Sequence, residues 1–192
     1  MTMALDNGQP DWSGTPWHAK NVPEIWAAVA GHTPDAYAAH LAGWRRTAEL
    51  LSQHIARMLT YRENLAAAWN PDHSPAAAIY LARFDADIDN AQRTLDASVA
   101  NYAAYSAAMS VVTDAQNTLH PLQAEYAANI AAEEAHRQTV GGTGYRGGAA
   151  IAMSAPDVDA RQRELTRLAQ AVMYRTSQEL IEATAALQVP PK

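Results

Sequence analysis

Polar and apolar positions along this chain repeat with the three- and four-residue spacing of amphipathic helices. Between Trp44 and Trp69 the repeating positions alternate by four and three residues, and Arg62 is the one polar side chain in that series. Such spacing is a heptad seam, which buries one stripe of a helix against another helix. A second stripe begins at Leu81 and continues to Leu119. The pattern predicts two long helices that pack along these stripes.

The residues between the two stripes, 69–75, predict a tight turn. Pro71 ends the first long helix, because the residue before a proline is pushed out of helical conformation. Ser74 is then suited to cap the second long helix, with Pro75 at its first helical position. We therefore expect an antiparallel helical hairpin whose turn contains Trp69.

Both long helices contribute side chains to the expected seam of this hairpin. The predicted seam residues are Trp44, Leu51, Ile55, Met58, Leu65, Leu81, Phe84, Ile88 and Leu95. Tyr102 and Tyr105 follow farther along the second long helix and are candidates for a face that binds a partner.

The other helix signals complete an all-α fold, an elongated antiparallel hairpin or bundle of about five helices. Residues 1–20 predict an extended N-terminal arm, which precedes a single helical domain at residues 21–187. Pro121 is expected to separate the third helix from the fourth, because proline lacks the N–H of a regular helix. Gly-rich residues 140–155 predict a flexible connector. The predicted helices span residues 22–31, 34–69, 75–119, 121–138 and 156–187.

Composition argues against several functional classes. The 192 residues carry a formal net charge of -6 and include no cysteine. Without cysteine the chain forms neither a disulfide nor a thiolate metal site, and without a basic cluster it offers no surface for nucleic acid. No stretch approaches the roughly 20 apolar residues of a membrane-spanning helix. The first residues lack the pattern of a signal peptide, so we expect any export to use a route other than the general secretory one.

Two acidic patterns could hold a metal, and neither is favoured. Glu133 and His136 form a single Glu-x-x-His, whereas helical di-iron sites use that spacing on two helices together with further glutamates. Asp85, Asp87 and Asp89 have the spacing of a calcium loop, but on a helix their side chains point in different directions. We expect no catalytic residue, no metal and no cofactor. A metal-dependent helical enzyme is a remote alternative, which the metal content of the purified protein would test.

Two motifs, Trp69-Asn70-Pro71 at the turn and Val22-Pro23-Glu24 at the start of the first helix, resemble those of the WXG100/PPE superfamily of type VII (ESX) secretion substrates from actinobacteria. Trp69-Asn70-Pro71, followed by a small-residue helix start at residues 74–78, stands where that superfamily has Trp-x-Gly. Val22-Pro23-Glu24 stands where PPE proteins have Pro-Pro-Glu. The order of the helices is also similar. Because Pro71 replaces the glycine and Val22 the first proline, the chain resembles a diverged PPE-like member.

The resemblance implies a non-enzymatic protein that works by helix–helix association, as a homodimer or with a small helical partner. It also implies a cytoplasmic protein that is secreted or displayed at the cell surface, with a secretion ATPase and a chaperone as further partners. No tyrosine here is followed four positions later by an acid, so a partner would supply the Tyr-x-x-x-Asp/Glu export signal. Ile151 and Met153 occupy the position of the chaperone-binding end. The alternative is a structural protein that self-assembles into a ring or sheath without being exported.

Overall fold

A computed structural model describes residues 14–142 and 158–189 of the chain. Within those two ranges the protein contains four α-helices and no strand, so the prediction of an all-α fold is confirmed. A short 3-10 turn, Trp17–Ala19, precedes the first α-helix. The α-helices are α1 (Val22–Ala30), α2 (Pro34–Ala68), α3 (Pro75–Gly142) and α4 (Val158–Ala185).

Local capping determines where two of these helices begin. The Asn21 side chain accepts a hydrogen bond from the backbone N–H of Glu24, whose carboxylate accepts one from the backbone N–H of Asn21. This reciprocal capping box satisfies two backbone donors at the start of α1. At the start of α3, the Ser74 hydroxyl accepts a hydrogen bond from the backbone N–H of Ala77 at 3.3 Å. Both starts therefore follow from short polar signals in the sequence.

The expected count of five helices is wrong, because the third and fourth predicted helices form one helix. Pro121 lies inside α3, which runs without interruption for 68 residues. Proline in a helix interior removes a backbone hydrogen bond and costs about 3 kcal/mol. Here the adjacent turn is held by packing, since Leu119 is fully buried and Leu122 packs against the same apolar cluster. Tertiary burial thus outweighs the local preference for a break.

The described residues divide into two compact units. Of the described residues, the first unit comprises 14–32, 111–142 and 158–181, and the second comprises 33–110 and 182–189. The first unit has an apolar core in which α1, α3 and α4 meet. Its buried members are Val22, Ile25, Val29, Leu119, Leu165, Ala169 and Met173.

Polar contacts attach the segment before α1 to α4 within the first unit. The Trp17 indole packs against the apolar core and donates a hydrogen bond to the Ser177 hydroxyl at 3.0 Å. The Gln170 side chain donates to the backbone carbonyls of His18 and Lys20 at 3.2 and 3.0 Å. Within the predicted N-terminal arm, the described residues from Trp17 to Lys20 are therefore packed against α4.

In the second unit α2 and α3 run in opposite directions. Arg62 near the end of α2 binds Asp85 near the start of α3, with nitrogen–oxygen distances of 2.9 and 3.0 Å. Tyr37, at the start of α2, meets Tyr105 farther along α3, with ring centroids 5.9 Å apart. Half of the buried apolar side chains among the described residues of this unit are alanines. The buried apolar side chains are Ile55, Met58, Ala77, Leu81, Ala97 and Ala104.

The chain beyond α4 returns to α3 within the second unit. The Asn101 side chain is almost fully buried. Its amide nitrogen donates to the backbone carbonyl of Gln188 at 2.9 Å, and its amide oxygen accepts from the backbone N–H of Gln188 at 2.7 Å. The Asn101 side chain therefore satisfies both backbone polar groups of Gln188, which lies beyond the end of α4.

Candidate functional site

A groove with a largely apolar lining lies between α2 and α3 in the second unit. It has a volume of about 770 Å³ and is largely open to solvent. A second cavity of about 320 Å³ shares Ala48, Glu49 and Val99 with this groove and extends it to Arg45 and Tyr102. The residues lining the main groove are Ala48, Glu49, Ser52 and Gln53 on α2 and Leu95, Asp96, Val99 and Ala100 on α3.

Small side chains on α2 make this groove. Ala48 and Ser52 leave space beside α3, where Val99 is 52% exposed and Tyr102 is 37% exposed. A small-molecule site usually encloses its ligand, whereas an open strip with an apolar floor suits a rod-like element such as a helix. The groove therefore differs in shape from an enclosed small-molecule site.

The two candidate partner-face tyrosines occupy different environments. Tyr102 reaches the extension of the groove. Tyr105 is partly buried and its ring lies 5.9 Å from that of Tyr37 and 6.1 Å from that of His40. Burial of the phenol raises the pKa of Tyr105, because the charged phenolate is disfavoured away from water. The structure therefore places Tyr102 at the groove and Tyr105 in the packing between α2 and α3.

The Trp69-Asn70-Pro71 segment lies between α2 and α3. Trp69 follows the last residue of α2 and its backbone N–H donates to the Leu65 carbonyl at 2.8 Å. Trp69 is 41% exposed, and its ring centroid lies 6.5 Å from that of Tyr80. The Asn70 side chain accepts a hydrogen bond from the backbone N–H of Asp72 at 2.8 Å. This segment thus presents an aromatic pair that is open to solvent.

The predicted seam residues are shielded to different degrees. Ile55, Met58 and Leu81 are buried. The others are half-buried, namely Trp44, Leu51, Leu65, Phe84, Ile88 and Leu95. The polar seam position, Arg62, is satisfied by Asp85, and the Arg62 guanidinium holds the pKa of that carboxyl below its usual value. The remaining candidates, Ile151 and Met153, lie outside the described residues.

Several groove residues were not identified from the sequence. Ser52, Val99 and Ala100 lie beside the heptad seam, and the seam pattern selects only the positions that face the second helix. The one sequence signal for this groove is Val99, an apolar residue next to the seam of α3, together with the small residues Ala48 and Ser52 on α2. That signal becomes interpretable only when the register between the two helices is known.

Some of the candidate metal residues bind arginine side chains. Glu133 accepts a hydrogen bond from Arg137 at 2.8 Å, and Asp85 binds Arg62. In residues 14–142 and 158–189, no group of three or more histidine or acidic side chains is arranged to hold a metal ion. None of the helices in the described part of the chain combines the length and the apolarity required to cross a membrane.

No family model matches the chain, and comparisons with curated proteins and with solved structures also gave no significant match.

Proposed function

We propose that this protein is a non-enzymatic helical substrate or component of a type VII secretion system, and that it acts by binding the helices of a partner. The observation that carries the proposal is the uncovered groove between α2 and α3, which leaves Val99 and Tyr102 accessible. An exposed apolar groove of this size is typical of a surface that a helix from a partner covers.

The resemblance to the WXG100/PPE superfamily supports the secretion part of the proposal. In this proposal α2 and α3 form the antiparallel hairpin of that superfamily, and Trp69-Asn70-Pro71 occupies the turn. Exposure of the Trp69 indole supports a role in recognition, because a tryptophan at a protein surface offers a large apolar area for a partner. Export then takes a non-Sec route, with the partner supplying the missing signal.

Export from the native host tests the proposal. The protein is measured in culture supernatant from cells with and without a working type VII secretion ATPase, with a cytosolic protein as lysis control. We expect the protein in the supernatant only when the ATPase works. Trp69→Ala is expected to reduce export, whereas Tyr61→Ala, at an exposed aromatic residue of α2, leaves it unchanged. Retention inside cells with a working ATPase would contradict the proposal.

Exposed apolar side chains away from the groove favour a second candidate function, self-assembly into a ring or sheath. Ile79 is 72% exposed, and Tyr61 and Leu50 are also exposed. Several separate contact patches on one chain are what a repeating assembly needs. Light scattering of the purified protein distinguishes the candidates, because a large closed oligomer supports assembly and a monomer or dimer supports the secretion proposal.

A further inference from the structure

The Asn101 side chain binds the main chain of one residue in a non-helical segment. Asn101 lies on α3 and is 4% exposed. Its amide nitrogen donates to the Gln188 carbonyl at 2.9 Å, and its amide oxygen accepts from the Gln188 N–H at 2.7 Å. Residues 187–189, which follow α4, have no regular secondary structure. Because both bonds use backbone groups of Gln188, this contact does not depend on the Gln188 side chain.

This pair of hydrogen bonds selects an extended peptide over a helix. A residue in extended conformation directs its N–H and its carbonyl toward the same side of the chain, so one neighbour can bind both. In a helix the two groups point in opposite directions along the axis and bind within the helix. A side-chain amide offers one acceptor and a donor next to it, which matches the extended residue. Any residue except proline supplies the same two backbone groups.

Small side chains flank Asn101 on the same face of α3. Ala97 lies four residues before Asn101 and Ala104 lies three residues after it, and both alanines are buried. A methyl group at each of these positions lets a peptide main chain come within hydrogen-bond distance of the Asn101 amide. Larger side chains there would hold the peptide away.

The segment that occupies this place buries little of its own surface. Each of residues 184–189 is exposed, and the exposed fractions of Leu187 and Val189 are 51% and 88%. A segment with few buried apolar contacts opens at a lower free energy than the core of the protein. Another peptide with the same main-chain groups can therefore take its place.

We propose that Asn101 is the centre of a site that binds an extended peptide segment of a partner protein through the main chain of that peptide. Residues 186–189 occupy the site within the chain and form a strap that the partner's peptide displaces. Main-chain hydrogen bonds supply affinity when a peptide docks in extended form. Asn101 does not line the groove between α2 and α3, so the inference goes beyond the helix-binding surface of the proposed function.

NMR titration of the full chain with a synthetic peptide tests the inference. The probe has the sequence of residues 185–192, which includes the segment that fits the site. In the wild type the attached strap competes at an effective concentration on the order of millimolar, so we expect weak binding. Gln188→Pro removes the N–H that donates to Asn101 and loosens the strap. This variant is expected to bind the peptide with a dissociation constant at least about tenfold lower than that of the wild type.

Matched variants and peptides separate main-chain recognition from other effects. Gln188→Ala keeps the backbone N–H and carbonyl, so it is expected to bind the peptide as weakly as the wild type. Adding Asn101→Ala to Gln188→Pro is expected to raise the dissociation constant at least about tenfold. A peptide that is N-methylated at the glutamine lacks the backbone donor and is expected not to bind, whereas replacing the peptide's leucine and valine by alanine leaves binding unchanged. Circular dichroism checks that each variant keeps its helix content.

Three results would overturn the inference. They are the absence of binding by Gln188→Pro at millimolar peptide, binding that persists when Asn101 is also replaced, and equal binding of the N-methylated peptide. A wild-type dimer in sedimentation that Gln188→Pro dissociates would make a second copy the occupant, and would overturn the assignment to a partner protein. ATPase-dependent export is measured separately, so the proposed function stands or fails independently of this test.

Discussion

Leu165 shows what a single buried side chain contributes to the first unit. It is fully buried in the core formed by α1, α3 and α4. We expect Leu165→Ala to lower the free energy of unfolding by about 2–5 kcal/mol, because the substitution removes buried methyl groups and leaves a cavity. Urea denaturation measures the change. Leu59→Ala, at an exposed leucine of α2, is the control and is expected to change the value by less than about 0.5 kcal/mol. Equal effects of the two substitutions would contradict this core.

The ion pair between Glu125 and Arg161 makes stability depend on pH. Arg161 donates two hydrogen bonds to the Glu125 carboxylate, at 2.5 and 2.8 Å, and these lower the pKa of Glu125. A carboxyl with a lowered pKa in the folded state stabilises the protein above its pKa in the unfolded chain. That contribution is lost as the pH falls through the folded-state pKa. The free energy of unfolding is therefore expected to fall on acidification from about pH 7 to about pH 3.

Two variants test this pH dependence. Glu125→Gln is expected to show a smaller fall in urea midpoint over the same pH range, because the titrating group is absent. In Arg161→Gln, the NMR-detected pKa of Glu125 is expected to rise above its wild-type value, since the guanidinium that stabilises the charged form is gone. An unchanged Glu125 pKa in Arg161→Gln would rule out this pair as the cause.

At the scale of elements, α3 shows how packing overrides a local stop signal. Pro121 is exposed, so its replacement removes little buried surface. Pro121→Ala restores a backbone donor in the middle of the helix and is expected to raise the free energy of unfolding by about 1–3 kcal/mol. Pro75→Ala is the matched control at the first position of α3, where proline is well accommodated, and is expected to have little effect. Destabilisation by Pro121→Ala in urea denaturation would show that the proline itself supports α3.

At the scale of the whole molecule, the return of the chain from α4 to α3 depends on a side chain far away in sequence. Asn101 and Gln188 are separated by 87 positions. Asn101→Ala leaves the Gln188 N–H and carbonyl without this partner, so we expect amide exchange at Gln188 to accelerate by about tenfold or more. Asn101→Asp places a buried carboxylate oxygen against the Gln188 carbonyl that the amide nitrogen now binds, so it is expected to accelerate this exchange at least as much. Unchanged exchange in both variants would mean that other contacts hold residues 182–189.

The extent of sequence-based prediction also differs with scale. The observed α1 and α2 each end within one residue of the predicted bounds, because proline, glycine and capping residues act over a single turn. The seam spacing selected Ile55, Met58 and Leu81, which are buried, since a helix has a fixed number of residues per turn. The prediction of a helix break at Pro121 was wrong because the sequence shows the local effect of a proline. It does not show the core around Leu119 that compensates for that effect.

The sequence by itself determined the helical class and the starts of α1, α2 and α3, and its spacing selected three buried residues of the two long helices. These properties depend on neighbours within a few residues, so a linear pattern records them. Only the tertiary structure decided that α3 continues through Pro121, that Asn101 binds Gln188, and that a largely apolar groove opens beside Val99. Those features join residues that are distant along the chain, and the register and burial that bring them together exist only after the helices have packed.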